Sequence, residues 1–437
     1  MAVGHYDRIR ARSGDSWRRR RLATGLAAVA CLLAAAPAQV GASVSRSHLE
    51  RGLAKQMRQV GGASGAFVTD LDARRHRTLF SWSSHRHRPL ASNTKLFTIA
   101  ALLDRFGPRA TFKTRLYAQA KRRAGRHTLR GSVVVVGAGD PALGRRSFAR
   151  RFGVPLTPLG RLAGDVRRSG IKRITGKVRV DDSIFDRRRG IPSSGVDASG
   201  ELGPLSGLSY DSGIVHGHYA GNPELVAARA LKNRLRRTGV RVEGGIGRAE
   251  LPARVLRKRA LASVRSPSVA SLMVATLRPS NNFFAEMLLK RLAAGRAGPS
   301  GTTRRGAAKV RRFAHQVGTS VKLENGSGLS RADRASPRQV VRLLAAMSRR
   351  SGAGAYRRGL PLAGEQGTVA DRMNGTAADG RCRTKTGTLT AVSALSGYCH
   401  AGHGTVAFSI LMGTPNLDAA RNGQDRMAAL IARYRRK

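Results

Sequence analysis

Apolar residues recur with two different periods along this chain, and the changes of period divide it. Residues 46–60 carry Leu49, Leu53 and Met57 at helical spacing, which puts them on one stripe and predicts an amphipathic helix. Residues 65–69 and 78–82 are rich in strand-forming types on either side of a polar loop, 70–77; this predicts two neighbouring strands. Leu96, Phe97, Ile99, Ala100, Leu102, Leu103 and Phe106 then precede Gly107 and Pro108, the order of a helix and its stop. From 111 to 267 the texture changes. Short β-rich runs at 114–118, 132–136 and 177–181 alternate with Gly/Pro/Asp turns and one helical stretch at 159–169. This predicts an inserted β-rich region of up to two small lobes. Helical stripes return at 269–277, 283–294, 306–317 and 337–347. A hairpin pattern at 382–389 and 392–400, a strand at 406–412 and a helix at 419–434 complete the chain.

The 437 residues exceed what one ordinary core organises, so more than one domain is expected. Charge changes the picture more. Lys and Arg number 80 against 25 Asp and Glu, a formal net of +55, and nucleic acid is the first partner such a balance suggests. The basic residues are spread along the chain instead of forming a stripe. Aromatic residues are too few, at 5 %, to interleave with them as base-stacking platforms. Neither a Cys/His finger nor an RNP-type strand is present, so no nucleic acid is expected. A solvated cationic surface accounts for the charge, with anionic envelope polymers as a further candidate partner.

The amino terminus reads as an export signal. Arg18 to Arg21 are basic, 22–36 are apolar, and Ala36-Pro37-Ala38 and Val40-Gly41-Ala42 offer small residues for cleavage. Basic, apolar, small is the order of a secretory leader. The segment is diluted by Gly, Thr, Pro and Gln, and no permanent membrane span is expected. Cys31 lies inside the apolar run and is read as part of the leader. The mature chain then keeps Cys382 and Cys399 in a periplasmic or extracellular setting, where disulfides persist.

Three short motifs carry chemistry. Ser92-Asn-Thr-Lys95 opens a predicted helix, and a spacing of three puts both side chains on one face. A serine hydroxyl needs a base, and a buried lysine with a lowered pKa supplies one. Taken alone, the pattern equally fits a capped helix with a surface lysine. Ser280-Asn281-Asn282 precedes the next helix, where such residues are ordinary N-caps; the functional reading has a second hydroxyl relaying a proton and an amide holding a substrate carbonyl. Lys385-Thr386-Gly387-Thr388 lies in a strand. There Gly387 lets a substrate backbone approach, and the lysine and threonines hold a carboxylate. Its structural alternative is an edge strand guarded by lysine.

The order Ser-x-x-Lys, Ser-x-Asn, Lys-Thr-Gly is the motif set of penicillin-binding proteins and related β-lactamases. The chain resembles the class C low-molecular-mass group, the D-alanyl-D-alanine carboxypeptidase/endopeptidases. Gly137-Ala-Gly-Asp-Pro-Ala-Leu143, Gly203-Pro-Leu-Ser-Gly-Leu-Ser209, Asn325-Gly-Ser-Gly-Leu-Ser330 and Gly364-Glu-Gln-Gly-Thr368 resemble that group as well, as does the long insertion between Ser92 and Ser280. The resemblance implies an α/β (α+β type) penicillin-binding/β-lactamase-like domain, an antiparallel sheet flanked by helices. It implies a leader at 1–42, an acyl-transfer domain built from 43–112 and 266–437, and the inserted region at 113–265. It further implies Ser92 as nucleophile, Lys95 as its base, Ser280 as proton relay and Asn282 on the substrate amide. Lys385, Thr386 and Thr388 would bind the terminal carboxylate, and the Ser92 and Thr388 backbone N–H groups would form the oxyanion hole. Peptidoglycan stem peptides are the implied substrates and β-lactams the covalent inhibitors, with no cofactor and no metal.

Asn325 and Asn281 stand where that group commonly has Asp. A tight turn at Thr390-Ala391 would set Cys382 opposite Cys399; a disulfide is the favoured reading and metal binding the alternative, although no ligand set accompanies the pair. His400 and His403 are read as surface or loop histidines. The rival functions are a serine β-lactamase, which needs a deacylating glutamate among Glu286, Glu324 and Glu365, and a non-catalytic cationic wall-binding protein.

Overall fold

Period-two alternation gives the main sheet two covered faces. In the strand Gly65–Asp70, Ala66 and Val68 point to one side and Phe67 to the other; in Gly404–Gly413, Phe408 and Ile410 oppose Ala407 and Leu411. The computed structural model describes residues 43–436 except 74–75, 125–126, 192–194, 196–199, 296–297 and 403. The leader reading and His403 therefore lie outside the described residues. Five antiparallel strands run in the spatial order Cys382–Leu389, Val392–Ala401, Gly404–Gly413, Gly65–Asp70, Arg77–Trp82.

Two helices, Arg46–Val60 and Leu417–Arg433, cover one face through Leu49, Leu53, Met57, Met427 and Ile431. The other face carries Thr94–Phe106, Val269–Leu277, Asn282–Ala293, Thr303–Gln316 and Pro337–Ser348, and the short helix Ala353–Gly359, which the sequence pattern had not suggested. Thr94–Phe106 is buried on nearly every side over its first ten residues, which are apolar except for Thr94, Lys95 and Thr98. Among the described residues no helix is long and apolar enough to cross a membrane.

The intervening region has its own core. The strand Lys113–Ala124 forms a hairpin with Thr128–Val136, and the strands paired with them make one seven-stranded sheet. Two small two-stranded sheets, Leu143–Gly144 with Thr157–Pro158 and Ile214–Val215 with His218–Tyr219, accompany it. The region is also more helical than expected. Pro223–Arg237 is a 15-residue helix, with Pro in its first turn, where a missing N–H is harmless, and Ala227, Ala228, Leu231 and Leu235 on its buried stripe. Arg146–Phe152 is a further short helix. The strand Ala262–Arg265 returns antiparallel to Lys113–Ala124, with Arg265 opposite Lys113, so the chain leaves and re-enters at neighbouring points.

Cys382 and Cys399 face each other in the hairpin register and are joined as a disulfide, S–S 2.01 Å, fully buried.

Candidate active site

The site forms where the amino end of Thr94–Phe106, the linker before Asn282–Ala293, the strand Cys382–Leu389 and a loop at 325–330 converge. Ser92 sits in the single 3-10 turn Ala91–Asn93 that runs into Thr94–Phe106. One turn later Lys95 is fully buried, and its Nζ lies 2.8 Å from Ser92 Oγ. Nζ also donates to Asn282 Oδ1 at 2.7 Å and to the Ser327 carbonyl at 2.6 Å. Burial lowers the Lys95 pKa to about 7, against the opposing pull of Glu286, Asp333 and Glu201.

This geometry limits where the protons of the amine can go. A carbonyl oxygen only accepts. The neutral amine has two N–H bonds and one lone pair, so its protons go to Asn282 and Ser327 and the lone pair is left facing Ser92. The arrangement suits taking the hydroxyl proton.

Ser280 and Asn282 are aimed by a division of labour inside their tripeptide. Asn281 is the N-cap; its side chain accepts from the Phe284 N–H at 2.9 Å. The capping expected of these residue types therefore falls to the middle one, and Asn or Asp serves equally as acceptor there. Ser280 adopts φ 60° between the two helices, a conformation uncommon outside glycine, and its Oγ accepts from Lys385 Nζ at 2.9 Å. Asn282 Nδ2 donates to the Glu201 carbonyl at 2.9 Å, which fixes the amide with Oδ1 towards Lys95. That carbonyl comes from the intervening region.

Lys385 is fully buried, and burial, then the charge on Lys95, push its pKa well below the ordinary lysine value. Thr386 Oγ1 is 2.7 Å from Thr368 Oγ1, at the end of the Gly364-to-Thr368 segment. Thr388 is exposed further along the strand. Gly387 differs from the expectation that its missing side chain makes room for substrate. A Cβ there would meet the Leu90 carbonyl at 2.9 Å, Ala91 Cβ at 3.1 Å and Asn93 Nδ2 at 3.1 Å. The glycine lets the strand press against the Ser92 turn, and Asn93 Nδ2 ties the two by donating to the Lys385 carbonyl at 3.2 Å.

The loop at 325–330 closes the site from behind. Asn325 Oδ1 accepts from Ser327 N at 3.1 Å and Gly328 N at 2.8 Å, an acceptor role open to Asn and Asp alike. Gly328 has φ 87°, and a Cβ there would lie 1.8 Å from the Ala91 carbonyl oxygen. Two buried carboxyls brace the loop. Glu286 Oε1 accepts from Gly326 N at 2.8 Å and Ser327 N at 2.6 Å, and Asp333 Oδ1 accepts from Glu324 N at 2.6 Å. Burial raises both pKa values, that of Asp333 to about 8. Asp333, the Ser327 carbonyl and the Glu201 carbonyl were not singled out from the sequence. Glu286 is a deacylating-base candidate in the sequence; in the structure its Oε1 is engaged by the loop residues Gly326 and Ser327. Glu324, the second such candidate, accepts from Ser330 Oγ at 3.0 Å. Among the described residues no group of His, Cys, Asp and Glu is arranged to hold a metal.

The model of the D-Ala-D-Ala carboxypeptidase 3 (S13) family matches residues 46–220 and 215–434. The chain is 28 % identical, over an alignment 456 positions long, to a D-alanyl-D-alanine carboxypeptidase of Actinomadura sp. (strain R39), covering 86 % of this chain and 82 % of that protein. Its fold is similar to penicillin-binding protein 4 of Haemophilus influenzae, with TM-score 0.68 at 18 % identity over 86 % of this chain and 99 % of that one. It is also similar to a penicillin G-acylated predatory endopeptidase, Bd3459, of Bdellovibrio bacteriovorus, with TM-score 0.54 at 18 % identity over 83 % and 90 % of the two chains.

Proposed function

The chain belongs to the D-Ala-D-Ala carboxypeptidase 3 (S13) family and is a serine-type D-Ala-D-Ala carboxypeptidase acting on peptidoglycan; from that premise we propose that it works through an acyl-enzyme on Ser92 and is acylated there by penicillins. The observation that carries this reading is the buried Lys95 amine, 2.8 Å from Ser92 Oγ and with its pKa at about 7.

In the proposed cycle Lys95 takes the Ser92 proton as Oγ attacks the carbonyl between the two D-alanines. The tetrahedral oxyanion is held by the Ser92 and Thr388 backbone N–H groups. Ser280, polarised by Lys385, passes a proton to the nitrogen of the leaving D-alanine. Asn282 holds the substrate amide, and Lys385, Thr386 and Thr388 receive the terminal carboxylate. Water then attacks the acyl carbonyl and regenerates Ser92. A β-lactam follows the same first step, but its amine stays tethered and the acyl-enzyme persists. The penicillin G-acylated Bdellovibrio relative supports this outcome. Endopeptidase cleavage would differ only in the amine that departs.

The same reading assigns 43–112 and 266–437 to the acyl-transfer domain and 113–265 to the inserted region. It has the chain exported with residues 1–42 removed, and its cationic surface set against anionic wall polymers. Intact-mass analysis after incubation with a penicillin tests the chemistry. One adduct on the wild type and none on Ser92→Ala is expected. No adduct on folded wild type sinks the acyl-enzyme proposal, and rapid penicillin turnover without a lasting adduct favours a β-lactamase instead.

A further inference from the structure

Glu286 is fully buried on Asn282–Ala293, one helical turn after Asn282, so both side chains project from the same face. Its Oε1 satisfies two backbone N–H groups of the loop whose Ser327 carbonyl holds Lys95. Its Oε2 is buried with no hydrogen-bond partner among the described residues. A clamp for two N–H groups needs only a neutral acceptor. Burial raises the Glu286 pKa, opposed by its hydrogen bonds to Ser327 and Gly326 and by the charge on Lys95; an ionised carboxyl with one oxygen unpartnered is costly in the interior, so holding a charge there requires a cation beyond the clamp.

Lys290, one turn further along the helix, also feels the Glu286 charge, but behind its stronger interaction with Asp186. Its Nζ donates to Asp186 at 2.6 Å and to the Arg188 carbonyl at 2.8 Å. The cation whose charge favours the Glu286 carboxylate is Lys95, and its electrostatic interaction with Glu286 is the foremost of the three that favour its own ammonium form.

We propose that Glu286 is the counter-charge for the ammonium that Lys95 becomes when it takes the Ser92 proton, acting as a positioning residue that never touches substrate. The inference rests on Lys95 being the base. In the acylation step the Ser92 O–H bond breaks, the Oγ–carbon bond forms, the proton binds Lys95 Nζ and the negative charge moves to the substrate oxygen. Positive charge therefore appears in a dry interior, where a nearby fixed anion stabilises it strongly. The other groups facing Lys95 do not replace Glu286. Asp333, from the loop side, is held largely protonated below about pH 8 by its own burial. Glu201, from the intervening region, has an exposed side chain, and its field is weakened by solvent. Lys385, from the sheet, is of like sign and opposes the ammonium.

The test is the pH profile of acylation by a chromogenic β-lactam, wild type against Glu286→Gln. Glutamine keeps an acceptor for the loop and removes the charge. Without the anion the ammonium is less stable, so the rising limb moves about one pH unit lower and the plateau rate falls about threefold to tenfold. A folded variant whose limb stays at the wild-type position, whatever its rate, makes Glu286 a clamp only and overturns the proposal. Should the glutamine variant not fold, Glu286→Asp retains charge with a shorter reach. Its limb is expected to stay in place while its melting temperature falls, and a limb displaced downwards by a full unit overturns the idea. Failure of the underlying acyl-enzyme reading would show separately, as wild-type protein that takes no adduct.

Discussion

Adding one methyl group at Gly328 should disable the site without touching a reacting atom. In Gly328→Ala the new Cβ would stand 1.8 Å from the Ala91 carbonyl oxygen and 3.0 Å from Ser92 N, on a residue with φ 87°. Neither obstacle is a flexible side-chain tip, so backbone must retreat by roughly 1.5 Å to reach van der Waals contact. The left-handed conformation costs about 1–2 kcal/mol for alanine and overpacking about 1–3 kcal/mol. Stability should therefore fall by about 2–5 kcal/mol. The loop is the part free to yield, and its movement carries the Ser327 carbonyl off Lys95 Nζ, where it now sits at 2.6 Å. A hydrogen bond to a charged group contributes about 1.5–3 kcal/mol, which corresponds to an acylation rate lower by about tenfold to 150-fold. Thermal melting and the rate of acylation by a chromogenic β-lactam measure the two effects on one sample. A variant that loses stability yet acylates at the wild-type rate would refute the role given to the Ser327 carbonyl; one that melts with the wild type would refute the close approach itself.

Three further outcomes are expected. Wild-type acylation should rise with pH through about 7, because Lys95 titrates there and only its neutral form accepts a proton; about one tenth is neutral at pH 6 and about nine tenths at pH 8, and a flat profile over that range would contradict the lysine's role. Asn281→Asp should leave melting and acylation near wild type because it keeps the cap acceptor, whereas Asn281→Ala should lose about 1 kcal/mol in denaturant unfolding. Replacing Cys382 and Cys399 together by Ala should lower stability by about 2–4 kcal/mol, read from chemical denaturation, while penicillin labelling of the folded fraction persists.

The parts of this molecule legible in its sequence are those that depend on neighbours along the chain. The stripe of Leu49, Leu53 and Met57 and the alternation around Phe67 need only a helical or strand period, and the structure has a helix at Arg46–Val60 and a strand at Gly65–Asp70. The long apolar helix after Ser92 announced itself in the same way. The helix Pro223–Arg237 carried comparable signals, Pro at its start and a Leu231/Leu235 stripe, yet the surrounding short β-rich runs concealed it. The site is a harder case. Ser92 and Lys95 are joined by helical spacing, whereas the Ser327 carbonyl meets Lys95 across 232 positions of sequence and the Glu201 carbonyl meets Asn282 across 81. A backbone carbonyl has no identity in a sequence, so no motif could have named either one. Gly387 shows the converse limit: its residue type was informative, but the neighbour requiring it, the Ser92 turn, appears only on folding.

The register of the strand next to the sheet's edge strand Arg77–Trp82 has a consequence for assembly in time. Gly65–Asp70 pairs with Arg77–Trp82 on one side and with Gly404–Gly413, near the opposite end of the chain, on the other. Loop closure over such a span is slow and has to await the distant strand. Lys113–Ala124, by contrast, finds its partners Thr128–Val136 and Ala262–Arg265 within the intervening region. As synthesis proceeds from the amino terminus, that region can complete its sheet while the main one still lacks three of its five strands. A nascent chain that stops short of residue 404 thus holds Ser92 and Lys95 on their helix but has no finished sheet to bring Lys385 against them, and the enzyme acquires its reactivity only in the last stage of its own production.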